Sequence, residues 1–296
     1  MKVDRSFFGT SVMPEISISK KQIEEFAMSS VNRGVTVTGV QKKLSLGLSG
    51  GRNARLTLID YPTGYILKPQ TEEYANLPEA EDIVMDISAL AGVKTVPHGL
   101  IEIDSQYAYI TKRIDRLRTK TGMVKRAMED FCQLSGRMTE DKYRGSYEKC
   151  VDIINKYSSR GGLDKTEFFL RIIVSYLTGN SDMHLKNFSL VETAPESRVF
   201  VLAEAYDMLP VNIILPEDTD ELALTLNGKK SNFKRQDFMD LSKKCDIPEK
   251  AANRIIDRTV NLMPKFEAAI NCSELPDVMK TRLIELMQVR TEVLKG

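Results

Sequence analysis

The stretch Gly179-Asn180-Ser181-Asp182-Met183-His184-Leu185-Lys186-Asn187 sets an Asp and an Asn five positions apart, and Tyr206-Asp207 follows after a short apolar run. In kinase-like phosphotransferases one carboxylate of such a loop orients or deprotonates the attacking hydroxyl. The Asn and the downstream carboxylate hold the magnesium that bridges the nucleotide phosphates. Hard oxygen ligands suit magnesium, and phosphoryl transfer is mostly positioning and charge neutralisation. On this reading Asp182 is the catalytic carboxylate, Asn187 and Asp207 are the metal ligands, and the reaction is ATP-dependent phosphoryl transfer. Asp and Asn also form ordinary turns. Here the spacing, a preceding buried helix and a following strand that carries an Asp all agree, which favours the chemical reading.

Other residues gain meaning from that loop. Thr36-Val37-Thr38-Gly39-Val40-Gln41-Lys42-Lys43 lies where a phosphate-covering loop is needed, and Gly39 permits close backbone approach so that amide N–H groups can cradle phosphate oxygens. It is neither a Walker loop nor the GxGxxG of ordinary protein kinases. Alone, one glycine among threonines is an ordinary turn. Lys68 ends the apolar run Tyr65-Ile66-Leu67-Lys68. A strand-end lysine normally snorkels to solvent; the functional alternative contacts nucleotide phosphates and pairs with a helix glutamate, Glu81 first and Glu79 as fallback. Lys112-Arg113-Ile114-Asp115-Arg116 reads either as a charged surface loop or as a hinge whose backbone near Lys112 and Ile114 faces an adenine edge. His184 is read as a brace of its loop rather than a base.

These residues need elements to hold them. Leu44 to Leu48, Arg55 to Ile59 and Tyr65 to Lys68 are short strand-like runs separated by Gly50-Gly51 and by Asp60-Tyr61-Pro62-Thr63-Gly64. Glu79 to Ala91 carries a helical stripe of Ile83, Ile87 and Leu90, stopped by Gly92. Gly99 to Ile103 and Gln106 to Lys112 predict a hairpin turning at Asp104-Ser105. Farther on, Asp164 with Glu167 predicts a capped helix start. Phe168, Phe169, Ile172, Ile173, Tyr176 and Leu177 form its buried face, and Gly179 ends it. Val199 to Ala203 predicts a strand delivering Asp207, and the segments from Gln236, from Glu249 and from Asp277 to Leu294 read as amphipathic helices. The expected fold class is α+β: a bilobal, protein-kinase-like fold with a small β-rich N-lobe over 1–112 and a larger, mainly helical C-lobe over 113–296. The nucleotide is expected in the cleft.

Composition narrows the classes. Apolar content of 42% with 28% charged residues is that of a globular protein, and a formal net charge of +1 gives no basic field for direct nucleic-acid binding. Four scattered cysteines without a CxxC pair, and only two histidines, disfavour zinc and disulfide frameworks. No apolar run is long enough to span a bilayer and no signal segment opens the chain, so a cytoplasmic location without a membrane partner is expected.

In order and spacing, Thr38-Gly39-Val40-Gln41-Lys42-Lys43, Ile66-Leu67-Lys68-Pro69, Glu81 to Met85, Arg113-Ile114-Asp115-Arg116, Glu129-Asp130-Phe131-Cys132-Gln133, Gly179 to Asn187 and Tyr206-Asp207 closely resemble the HipA family of bacterial serine/threonine kinases, the toxins of toxin–antitoxin modules. The resemblance implies ATP and Mg2+ as cofactors, Asp182 as base, and Asn187 and Asp207 on magnesium. It implies Lys68 on the nucleotide phosphates with Glu81 as partner, and Val37, Thr38, Gly39, Val40, Gln41 and Lys43 over the phosphates. It also implies autophosphorylation in that loop, which ejects the loop and switches the kinase off. Thr36 and Thr38 stand where the family usually has Ser. A phosphate of about −1.5 to −2 charge cannot share the site with ATP phosphates, so the switch is physically sensible. The glycine loop begins within about forty residues of Met1, which resembles the short HipT-like form whose missing N-terminal subdomain is a separate small antitoxin protein. The substrate implied is an aminoacyl-tRNA synthetase serine, with growth arrest as the outcome and DNA reached only through a DNA-binding partner. Two other readings share these residues: a small-molecule or lipid kinase of related fold, and a nucleotide-binding pseudokinase acting as a binding module. Intact Asp182, Asn187, Lys68 and Asp207 argue against the last.

Overall fold

The computed structural model describes residues 3–16, 18–19, 21–22, 43–49, 54–58, 63–119 and 122–296. The fold is α+β, and packing divides it into two units, 1–82 with 96–125 and 83–95 with 126–296. The division differs from a single cut after residue 112 in two places. The helix Leu77–Ala91 gives only its opening residues to the first unit. The hairpin Arg116–Thr119 with Gly122–Lys125, which follows the segment expected to end the small lobe, also belongs to the first unit.

The first unit is built on a six-stranded sheet. Its strands are β1 (Glu15–Ile16), β2 (Leu44–Leu48), β3 (Arg55–Leu58), β4 (Tyr65–Pro69), β5 (His98–Ile103) and β6 (Gln106–Lys112), in the order β1-β3-β2-β4-β6-β5. Pairing is antiparallel except between β1 and β3. Leu44, Leu46, Leu56, Leu67 and Ile110 are buried together with Phe8 and Ile18. Because successive strand side chains point to opposite faces, burying Leu67 in that core turns Lys68 to the other side, beside its cross-strand partner Tyr109.

The second unit is organised around the helix Gly161–Thr178, whose Phe168, Phe169, Ile172, Ile173, Tyr176 and Leu177 are all buried. Its start corrects one expectation. The helix begins three residues before Asp164, and Asp164 lies within the first turn rather than capping it. There the buried carboxylate accepts from the Leu202 amide (2.8 Å), the Ser158 hydroxyl (2.6 Å) and Arg160. A carboxylate near a helix N-terminus is favoured by the helix dipole, and here it also ties the helix to a strand.

That strand, Phe200–Leu202, buries Val201 and Leu202. It forms one edge of a three-stranded sheet whose middle strand is Ser189–Glu192 and whose far edge is Met128–Asp130. The helices Arg235–Lys244, Glu249–Val260 and Asp277–Lys295 begin within a residue of the amphipathic segments read from sequence. The last of them buttresses the end of the buried helix: Arg290 donates to the Tyr176 carbonyl (2.5 Å) and to the Asn212 side-chain oxygen (2.8 Å). Among the described residues no helix is long and apolar enough to cross a membrane.

Candidate active site

The candidate residues fall into two groups, one in each unit. In the first unit, Lys68 Nζ donates to Glu81 Oε1 at 2.5 Å, with the two side chains only 2% and 0% exposed. The lysine also sits over the Tyr109 ring, 5.2 Å from its centre. Strand alternation aims Lys68 at the helix that carries Glu81, so the pair follows directly from the register of the sheet. Glu79, the fallback partner, accepts from the Asn76 side chain at 3.3 Å. The Lys112 amide donates to the Pro97 carbonyl (3.0 Å) and its ammonium lies over the Phe7 ring. A nucleotide edge at this segment would therefore have to meet backbone groups other than that amide. Lys43 is exposed just before β2. Thr36, Val37, Thr38, Gly39, Val40 and Gln41 lie outside the described residues.

The second group is the loop after the buried helix. Gly179 ends the helix with φ 74°, a left-handed conformation that favours glycine. It is hemmed in as well: an added Cβ would lie 2.6 Å from the Leu286 side chain. The turn is then closed from within. The Asn180 amide donates to the Ser175 carbonyl (2.8 Å), and the Asn180 side-chain oxygen accepts from the Asp182 amide (3.2 Å). The Asp182 carbonyl accepts both the His184 amide and Asn187 Nδ2, each at 2.8 Å. The five-residue spacing of Asp182 and Asn187 thus closes a short loop in which the second side chain clamps the backbone of the first. With its nitrogen committed to that carbonyl, Asn187 has its amide oxygen left as an acceptor.

Neighbouring elements hold the loop from outside. The Leu185 amide donates to the Lys142 carbonyl (3.1 Å), and the Tyr147 hydroxyl to the Met183 carbonyl (3.2 Å). Lys186 pairs with Asp130 at 2.7 Å, while Asp130 caps the helix Phe131–Leu134 through a capping box with Gln133. Tyr206 donates to the Lys186 carbonyl (3.1 Å), which fixes the residue before Asp207. Asp207 has φ 55°, an uncommon left-handed conformation for a non-glycine residue, of the sort concentrated at functional sites.

Electrostatics separate the charged from the neutral groups. His184 is 5% exposed, and burial pushes its pKa down to about 4 against the opposing pull of the Asp182 and Asp207 charges. The ring is therefore neutral near pH 7, and its Nε2, 3.8 Å from Asp182 Oδ1, forms no ion pair there. The Asp182 and Asp207 charges both favour the charged form of this imidazole, and burial outweighs them. Asp182 is 35% exposed, and its Oδ1 accepts a hydrogen bond from the hydroxyl of Tyr143. Neither Tyr143 nor the Asp130–Lys186 brace was identified as part of the site from the sequence. Asp130 belongs to the segment Glu129 to Gln133, whose residue types alone give it no role, and Tyr143 lies 39 positions from Asp182 in no periodic pattern.

Asn187 and Asp207 offer oxygen donors of the kind that magnesium takes. Among the described residues no three His, Cys, Asp or Glu side chains could together hold a metal. One amide oxygen and one carboxylate are what a magnesium site needs when phosphate oxygens and water complete the octahedron.

The HipA-like C-terminal domain profile matches residues 35–266, well over half of the chain. The chain belongs to this family. Among its curated relatives, the protein named "Putative kinase Y4dM" of Sinorhizobium fredii is 31% identical over 250 residues, covering 79% of this chain and 58% of that protein. A Haemophilus influenzae protein with the name "Putative kinase" is 29% identical over 214 residues, covering 67% and 59%. The chain therefore spans less than two thirds of the length of either. Two solved structures share the HipA-like fold at 17% identity. One is a chain of the Shewanella oneidensis MR-1 HipA, HipB and operator DNA complex (TM-score 0.73, covering 97% of this chain and 76% of that one). The other is the Helicobacter pylori proinflammatory kinase CtkA (TM-score 0.58, covering 85% and 93%).

Proposed function

We propose that this HipA-like protein is a magnesium- and ATP-dependent serine/threonine protein kinase acting as the toxin of a toxin–antitoxin pair. The observation that carries the proposal is the clamp in which Asn187 Nδ2 holds the Asp182 carbonyl while both side chains keep oxygens free for chemistry. Asp182 accepts the proton of the acceptor hydroxyl as that oxygen attacks phosphorus. Lys68, fixed by Glu81, contacts the nucleotide phosphates. Asn187 and Asp207 would hold Mg2+, which when bound neutralises charge on the phosphates. The kinase names of the relatives and the HipA and CtkA folds support this reading.

The finer assignments belong to the same proposal. They are Thr36 or Thr38 as the self-modified residue, an aminoacyl-tRNA synthetase as substrate, a small antitoxin protein as partner, and DNA only through that partner. The presence of HipB and operator DNA in the Shewanella structure supports the last two.

The test starts from protein treated with a phosphatase and checked by mass spectrometry. Incubation with magnesium and γ-labelled ATP should place label on Thr36 or Thr38, and Asp182→Asn should abolish it. A dephosphorylated wild-type protein that takes up no label, or an Asp182→Asn variant that labels as well as wild type, would sink the kinase reading.

A further inference from the structure

Tyr143 occupies a place that no motif assigns. It follows the short helical turn Thr139–Asp141, and its two flanks are pinned. On one side the Lys142 carbonyl accepts the Leu185 amide (3.1 Å); on the other the Gly145 carbonyl accepts the Thr225 hydroxyl (3.2 Å). Gly145 also lies beside Leu185, where an added Cβ would make ordinary contact at 3.4 Å. The Tyr143 ring meets His184 edge-on, with centres 4.9 Å apart, and is otherwise two-fifths exposed. From this fixed ring the hydroxyl donates to Asp182 Oδ1.

The two oxygens of Asp182 are thereby made unequal. Oδ1 carries the phenol and faces the neutral imidazole. Among the described residues no group donates to Oδ2, and the side chain keeps a third of its surface open. We propose that Tyr143 is a positioning residue for phosphoryl transfer: its hydroxyl fixes the Asp182 carboxylate through Oδ1 so that Oδ2 meets the acceptor hydroxyl. An aspartate on a loop otherwise divides its time among rotamers, and a near-attack geometry rewards having that freedom removed beforehand. Burial and then the Asp182 charge push the phenol above its ordinary pKa, so it remains a proton donor at neutral pH.

The inference rests on the kinase reading, and the test separates the two. Self-labelling rates of dephosphorylated protein are measured against magnesium-ATP concentration for wild type, Tyr143→Phe and Asp182→Asn. Tyr143→Phe should lower the saturating rate roughly ten- to hundredfold with half-saturation by ATP unchanged. Its melting temperature and circular dichroism should match wild type, because the ring against His184 remains. A variant that labels at the wild-type rate overturns the proposal. One that labels faster also overturns it, since Tyr143 would then be blocking the acceptor's place.

A readout independent of activity uses 13C-labelled tyrosine in magnetic resonance spectra at neutral pH. Asp182→Asn should shift the Tyr143 Cζ resonance, which reports the hydrogen bond of the hydroxyl to Asp182 Oδ1, and an unmoved resonance overturns the contact itself. If the resonance moves but wild type takes up no label, the kinase reading has failed, and the catalytic role of Tyr143 falls with it.

Discussion

Replacing Lys68 by Met and Glu81 by Leu, singly and together, tests the first group of site residues more sharply than an activity assay alone. The pair is buried on both sides, with Nζ and Oε1 2.5 Å apart. At an effective dielectric near 20, unit charges at that distance attract by about 7 kcal/mol. Withdrawing each ion from water costs several kcal/mol, so the intact pair nets little. Removing one partner takes the 2.5 Å counter-charge from the other buried ion and should cost about 3–5 kcal/mol. The double variant removes both buried charges and should return to within about 1 kcal/mol of wild type. The coupling between the two sites, the sum of the single losses less that of the double, should therefore be about 5 kcal/mol or more. The chain has no tryptophan, so urea unfolding is followed by circular dichroism and tyrosine fluorescence. The double variant should also fail to bind ATP, which separates the stability of the pair from its proposed work on phosphates. If the double variant loses as much stability as the two singles combined, the reasoning is refuted. The two residues would then contribute independently, by packing, and Lys68 would not be held in place by Glu81.

Two further predictions concern the loop of the second unit. The folded pKa of His184, about 4, lies below its ordinary 6.5, so the unfolded chain binds the extra proton between those values. Its contribution to stability, about 3 kcal/mol at most, is complete above pH 6.5 and is lost as pH falls toward 4. Urea midpoints from pH 7.5 to 4.5 should fall less steeply for His184→Gln than for wild type; equal slopes would contradict this account. Gly179→Ala should cost about 2–4 kcal/mol, from the left-handed backbone and the contact with Leu286, and should slow self-labelling by moving the loop. Thermal unfolding with labelling rates checks it, and a stable, fully active variant would show that the helix end is adaptable.

What could be read in the sequence and what could not divides along physical lines. The helix Gly161–Thr178 was legible because an apolar stripe at helical period and a terminal glycine are local signals, and the loop bearing Asp182 follows from where it stops. Glu81 stood as the first partner for Lys68 because phosphate-binding lysines need a carboxylate from a nearby helix, and the structure joins the two. Local rules misled at Asp164. Its spacing to Glu167 imitates a capping box, yet the chain had already turned helical at Gly161-Gly162, and the carboxylate was needed to receive the Leu202 amide. The short strands Met128–Asp130 and Ser189–Glu192 carry too few residues for alternation to appear. Tyr143 and Asp130 reach the loop across 39 and 56 positions, and no periodicity encodes a contact of that kind.

Those long-range contacts bear on why Asp182 is suited to act as a base. Lys186 is only four residues away on the same loop, and a lysine on the Asp182 carboxylate would occupy the oxygen that must meet the acceptor hydroxyl. Asp130 draws that lysine aside at 2.7 Å, and Lys142 lies over the Tyr143 ring instead of on the carboxylate. Among the described residues no lysine or arginine comes within ion-pair distance of Asp182; its close neighbours are a phenol and an imidazole that burial keeps neutral. Cations are thus turned away from Asp182, whereas Lys68 is locked to a carboxylate in the first unit. The contrast matches the proposed division of labour. A group that receives a proton needs neutral donors to orient it, while a group that holds phosphates must keep a fixed charge.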